Sequence, residues 1–250
     1  MIILEAQHIY KRYFTGFKGF RREYINALDD ISFQLYEGEV LAFVGETSSG
    51  KTTLARVIAG AEAADDGDLL IESRSIEHIS LQQRFSQVRM IFQNPTTSLN
   101  PKLRIGQQLE EPLKFSTNLS VKERQQTVHE VLTKVGLLIE QAEFYPHMIS
   151  MGQKQRINIA RAIILRPKVI IVDSSLFALD IMIKNQIIDL LLELKNSFNL
   201  SLILISHDPH TIRHISDRIA ILQQGKIVEI NTAKALFEQP ATDYTKRLIG

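Results

Sequence analysis

Eight consecutive residues, Gly45-Glu46-Thr47-Ser48-Ser49-Gly50-Lys51-Thr52, fit the spacing G-x-x-x-x-G-K-[ST] at every fixed position. Glycines let a backbone curl until successive N–H groups converge on an anion, and a helix starting directly after the loop aims its positive end at the same point. Lys51 is then expected to reach the β- and γ-phosphates of a nucleotide, and the Thr52 hydroxyl to bind Mg²⁺. All residues from Gly45 through Thr53 are candidate phosphate contacts. Two more polar groups close apolar runs: Asp173 after Val169-Ile170-Ile171-Val172, and His207 after Leu202-Ile203-Leu204-Ile205-Ser206. A polar residue at the carboxyl end of a buried parallel strand is delivered to the crevice where α/β folds hold ligands, so these two are expected to share the phosphate site.

The elements that must position these groups follow from the same pattern. Val40-Leu41-Ala42-Phe43-Val44 reads as a buried strand feeding the loop, and Thr53-Leu54-Ala55-Arg56-Val57-Ile58-Ala59 as the helix leaving it. Short strands are expected at 2–4, 31–35, 69–71 and 88–92, the last delivering Gln93, with a hairpin around Gln223-Gln224-Gly225-Lys226. Ser120 and Glu123 form a capping box ahead of Val128, Val131, Leu132 and Val135 at helical spacing. Ser150 stands where a helix N-cap should be, before a helix ending ahead of Arg166-Pro167. On that segment alone, an anion site at the helix start and a simple cap are equally open. Residues 93–165 read as helical between two halves of an α/β pattern, as an inserted subdomain would.

Residues 10–22 mix aromatic and basic side chains and are expected to form a mobile β-edge loop with a few rings packed on the sheet. Such a segment can also bind nucleic acid, but no second basic patch supports that and the net charge is only +1. No nucleic acid is expected. With 44% hydrophobic and 23% charged residues the composition is that of an ordinary globular chain. The absence of cysteine excludes disulfides and cysteine-bound metals. No apolar run approaches the ~20 residues of a membrane span, and Met1-Ile2-Ile3-Leu4-Glu5 lacks the charge and apolar core of a signal peptide. A cytoplasmic chain that borrows any membrane role from a partner is expected.

The loop, Gln93, the stretch Ser150 to Arg156, Asp173 and His207, in this order, resemble the nucleotide-binding subunits of ABC transporters over nearly the whole chain. The most specific element is Ile149-Ser150-Met151-Gly152-Gln153, similar to the family's LSGGQ signature. The resemblance implies an α/β P-loop NTPase fold of ABC type, with a mixed sheet core, an antiparallel β subdomain (the two together 1–92 and 166–250) and a helical subdomain at about 93–165. It implies that Gln93 is the Q-loop glutamine, Asp173 the Walker B aspartate and His207 the switch histidine. Ala178-Leu179-Asp180 then form the D-loop, and Tyr13 lies where an aromatic ring meets adenine. Thr52, Gln93 and Asp173 become the Mg²⁺ set, and Ser150, Gly152, Gln153 and Asp180 join the ATP contacts. The stretches 92–101 and 240–248 are similar to the ATPases of oligopeptide, dipeptide and nickel importers, and 145–148 with 163–171 to the branch linked to antimicrobial-peptide sensitivity.

By the same resemblance the chain works in a head-to-tail dimer, with two transmembrane permease subunits and, through them, a periplasmic binding protein, at the cytoplasmic face of the inner membrane. One position departs from the family: Ser174 stands where a glutamate normally orients the attacking water. A positioned base is worth ~10²–10⁴-fold and serine cannot serve as one at neutral pH, so slow hydrolysis at this chain's own site is expected. A heterodimer with a second ATPase that keeps the glutamate follows as an expectation, against a competing homodimer that would lack the glutamate at both sites. Met151 replaces a small residue of the signature and adds bulk beside the backbone.

Overall fold

The computed structural model describes residues 1–18, 21–91, 98–173 and 181–249, the side chains of Lys18, Arg21, Ile181 and Thr211 excepted. The chain forms two compact units, Met1–Ser80 with Ser201–Gly250, and Leu81–Leu200.

In the first unit, β1 (Ile2–Lys18) and β2 (Arg21–Tyr36) make a long antiparallel hairpin, joined by β4 (Asp66–Ile71) and β5 (Arg74–Ser75) in the order β2-β1-β4-β5. This corrects the expectation of an edge loop at 10–22, because the described part of that segment is strand. Its side chains look outward, so they carry no burial signal. Its backbone nevertheless pairs across the ladder, Tyr13 opposite Ile25 and Phe14 opposite Tyr24, satisfying N–H and C=O groups that a loop would leave to water. The Asp65 carboxylate secures the strand, accepting from the Lys11 ammonium at 2.8 Å and the Arg12 N–H at 2.7 Å.

The same unit holds β3 (Val40–Val44), β8 (Ser201–Ser206), β9 (Arg218–Gln223) and β10 (Lys226–Thr232). β3 lies between β8 and β9 and parallel to both, while β9 and β10 form the expected hairpin. Every residue of β3 is buried, as its uninterrupted apolar run requires of a strand covered on both faces. Phe33 of β2 meets Phe43 of β3 edge to face at 4.9 Å, which joins the two sheets. Helix α1 (Lys51–Ala59) follows β3.

The second unit opens with α2 (Leu81–Gln87) and β6 (Val88–Ile91). Helices α3 (Ile105–Ser116), α4 (Val121–Lys134) and α5 (Met151–Ile163) come next, then β7 (Val169–Val172), parallel to β6, and α6 (Ile181–Phe198). The capping box of α4 is present: the Ser120 N–H donates to Glu123 at 2.7 Å and the Glu123 N–H to the Ser120 hydroxyl at 3.4 Å. Val128, Val131, Leu132 and Val135 are buried, as their spacing predicted. Burial pushes the Glu110 carboxyl up, but hydrogen bonds from Arg124 at 2.8 Å and Lys114 at 3.1 Å outweigh it and hold it below the ordinary glutamate value. Arg156 of α5 donates to the carbonyl of Val135 at the end of α4 at 2.7 Å. The first unit closes with α7 (Pro209–Arg213), α8 (Ala233–Glu238) and α9 (Asp243–Ile249). No helix among the described residues is long and apolar enough to cross a membrane.

Candidate nucleotide-binding site

Loop 45–50 connects the buried end of β3 to the first turn of α1. Lys51 folds back over it, its ammonium donating to the Gly45 carbonyl at 2.8 Å, the Glu46 carbonyl at 2.6 Å and the Ser49 hydroxyl at 3.0 Å. Only 7% of this lysine is exposed, so its charge is held by the loop it belongs to. The Ser49 N–H donates to the Glu46 carbonyl at 3.2 Å and closes the curl, and Ser48 takes a left-handed conformation with φ 66°.

Both loop glycines answer to packing. A Cβ on Gly45 would stand 2.2 Å from the Leu222 carbonyl oxygen, and one on Gly50 2.4 Å from that of Ala27. Gly50 also has φ +107°, which side chains rarely adopt. Two neighbours fix the loop from outside. The Gly225 N–H donates to the Ser49 carbonyl at 3.0 Å, and the Glu46 N–H to the Tyr244 hydroxyl of α9 at 3.2 Å.

α1 begins without a side-chain cap and without an acidic residue in its first turn. The N–H groups of Gly50, Lys51, Thr52 and Thr53 are those that a helix cannot satisfy internally. Together with the Lys51 charge and the flanking hydroxyls they form a cradle of donors, which fits an anion with many acceptor oxygens such as a polyphosphate.

Two expected groups stand near this cradle within the first unit. Val44 and Ser206 are partners in the parallel ladder, so Gly45 and His207 leave adjacent strand ends from neighbouring positions. His207 is exposed. Tyr13 lies on β1 with its hydroxyl bonded to the Glu62 carboxylate and within hydrogen-bonding reach of Thr53 in the first turn of α1. Burial and the Glu62 bond push the Tyr13 phenol above its ordinary value. Lys11 lies 5.8 Å from the centre of its ring.

In the second unit, Asp173 follows β7 directly and is 6% exposed. Ser150 caps α5 as its sequence suggests: the Gln153 N–H donates to its hydroxyl at 3.3 Å and its own N–H to the Gln153 side chain at 2.9 Å. Gly152 has the conformation of an ordinary helical residue, and among the described residues outside its own helix a Cβ there would meet Ile183 alone, at 3.8 Å. Gln93, Ser174 and the 178–180 stretch with Asp180 lie outside the described residues. Sequence reading missed Tyr244, Glu62 and the carbonyls of Ala27 and Leu222. No composition or spacing signals a backbone carbonyl, whereas Tyr244 lies in a tail stretch already noted for its resemblance.

A parallel β core that ends in a glycine-cradled, lysine-clasped loop at a helix start defines an α/β P-loop nucleotide-binding protein. A profile of the family described as ABC transporter matches residues 28–176, more than half of the chain, which therefore belongs to the ABC transporter ATP-binding family. The putrescine export system ATP-binding protein SapF of Escherichia coli (strain K12) is 42% identical over 99% of this chain and 92% of its own length. The dipeptide transport ATP-binding protein DppF of Haemophilus influenzae is 39% identical over 96% of this chain and 75% of its own. Among solved structures, the dimeric post-hydrolysis state of the ATP-binding cassette MJ0796 bound to ADP and Pi superposes with a TM-score of 0.78 at 26% identity. That match covers 92% of this chain and 99% of the other.

Proposed function

We propose that this chain is the ATP-binding, energy-coupling subunit of a peptide-type ABC transporter. The observation that carries the reading is the Lys51 ammonium, held at 2.6–3.0 Å by three oxygens of its own loop at the head of an uncapped helix. The names of similar proteins supply the cargo classes: dipeptides for one, putrescine for the other. Two transmembrane permease subunits are the direct partners, with a periplasmic binding protein behind them. The chain then works at the cytoplasmic face of the membrane without crossing it.

In this reading Gly45 through Thr53 grip the triphosphate of ATP, Tyr13 faces the adenine, and the Ser150 end of α5 approaches the γ-phosphate held by a second ATPase subunit. Thr52, Gln93 and Asp173 offer hydroxyl, amide and carboxylate oxygens, the hard donors that suit Mg²⁺. When bound, Mg²⁺ neutralises charge on the β- and γ-phosphate oxygens. His207, leaving β8 beside Gly45, supplies a polar contact to the same phosphate. Asp180 and Gln153 complete the face offered to the second subunit. Gln93 links nucleotide state to the helical region roughly spanning 93–165, and through it to the permease.

Ser174 makes the two sites of such a dimer unequal. The fast site belongs to a partner that keeps a glutamate, completed by Ser150 and Gly152 of this chain, while the site built on this chain's own Lys51 and Asp173 turns over slowly. Steady-state ATP turnover is compared for the chain alone, the chain with its partner ATPase, and Ser174→Glu. The variant is expected to gain at least ~10²-fold at this chain's site. Fast turnover by the isolated wild type, unchanged in Ser174→Glu, would refute the assignment.

A further inference from the structure

The β1–β2 hairpin carries an exposed aromatic surface that the proposed nucleotide site does not include. Phe14 and Tyr24 are opposite partners in the ladder, and Arg12 pairs with Asn26 two residues away, so Arg12, Phe14 and Tyr24 share one face. Tyr13 and Ile25 form the intervening pair and turn to the other face, where Tyr13 reaches Glu62. Past a bulge at Phe14/Gly16, Phe17 returns to the Arg12 face and packs edge to face on Phe14 at 5.2 Å, while Tyr24 does so from the neighbouring strand at 5.7 Å. Arg12 lies 5.9 Å from the centre of the Tyr24 ring, and Arg22 is the ladder partner of Phe17. The rings are 51%, 65% and 49% exposed for Phe14, Phe17 and Tyr24, a concentration of apolar surface that an isolated soluble hairpin does not need.

Charge identifies the occupant. Residues 11–22 contain Lys11, Arg12, Lys18, Arg21 and Arg22 and no acid, in a chain whose net charge is only +1. Among the described residues, neither Arg12 nor Arg22 enters an ion pair, whereas Lys11 is bonded to Asp65. Phe17 and Tyr24 each lean edge to face on Phe14, at 75° and 64°, and so the three rings form one apolar ridge centred on Phe14. Stacking a run of nucleobases instead requires separate open ring faces. An apolar aromatic ridge flanked by arginines matches the boundary between acyl chains and anionic headgroups, where rings settle at headgroup depth and guanidinium groups bind lipid phosphates. We propose that this face of the hairpin docks directly on an anionic lipid surface, independently of nucleotide and of any permease.

The chain contains no tryptophan, so a single introduced indole reports on its own position without background. Phe17→Trp places one on the ridge. Phe115→Trp places one at a position 73% exposed in the second unit, as a control. Each full-length variant, shown to unfold thermally like the wild type, is titrated with vesicles of phosphatidylcholine alone or mixed with phosphatidylglycerol. The expected result is a blue shift for Phe17→Trp with the mixed vesicles only, reversed by salt, and none for Phe115→Trp. Adding Arg12→Gln and Arg22→Gln should weaken binding about tenfold or more. The proposal is overturned by equal shifts at both positions, by binding indifferent to lipid charge, or by no shift at all. It is equally overturned if the ridge indole responds to a single-stranded oligoribonucleotide, or to protein concentration alone, rather than to anionic vesicles.

Discussion

Gly152→Ala separates what α5 needs for its own folding from what a second subunit would need from it. Gly152 lies in the first turn of α5 with a helical backbone, and among the described residues outside its own helix the added methyl would meet Ile183 alone, at 3.8 Å, an ordinary van der Waals contact. Alanine restricts the unfolded chain more than glycine does, so the substitution should stabilise the isolated protein by about 0.5–1 kcal/mol. For a chain of this size that raises the thermal midpoint by roughly 1–4 °C. If a nucleotide bound by a neighbouring subunit comes up against this backbone, the same methyl stands in a close contact, where an extra carbon costs about 1–3 kcal/mol. ATP-dependent association and partner-stimulated turnover should then fall roughly five- to 150-fold while stability rises. Differential scanning calorimetry reads the first quantity, and sedimentation with and without ATP the second. A stabilised variant whose association is unchanged would show that nothing approaches Gly152, and the shared-site reading would fail with it.

Gly50→Ala should act in the opposite way. Its backbone at φ +107° and its 2.4 Å approach to the Ala27 carbonyl together cost roughly 2–4 kcal/mol, so chemical denaturation should show a loss of stability along with loss of ATP binding. Acid should weaken the fold through carboxylates held below their ordinary values: Asp65 by the Lys11 hydrogen bond and then the Arg12 N–H, and Glu110 by Arg124 and Lys114 against the effect of burial. Since the unfolded chain binds protons at these groups more readily, their contribution is complete above the ordinary carboxylate range and disappears as pH falls through the folded values. Urea midpoints measured from pH 7 downward should therefore decline below about pH 4.5, and Asp65→Asn should decline less steeply.

The site elements that sequence made legible are those whose physics is local. The strand before Gly45, the helix after Lys51, and the caps at Ser120 and Ser150 are each governed by neighbours a few residues away. The apolar runs ending at Asp173 and His207 are legible because strands covered on both faces must be apolar throughout. The outer hairpin was not, because solvent-facing strand residues carry no apolar alternation and only the pairing of 11–18 with 21–28 reveals the strand. The constraints on Gly45 and Gly50 also escaped sequence, since they come from carbonyls of β9 and β2 distant along the chain.

The hydrogen bond from Glu46 to Tyr244 spans 198 residues of chain. With the Ser49–Gly225 bond, it leaves the cradle little freedom to lose when an anion enters. Association there should carry a small ordering penalty, and α9, through Tyr244, becomes a tuning element for affinity. Unwinding α9 would make capture entropically dearer while every phosphate-facing group stayed in the chain.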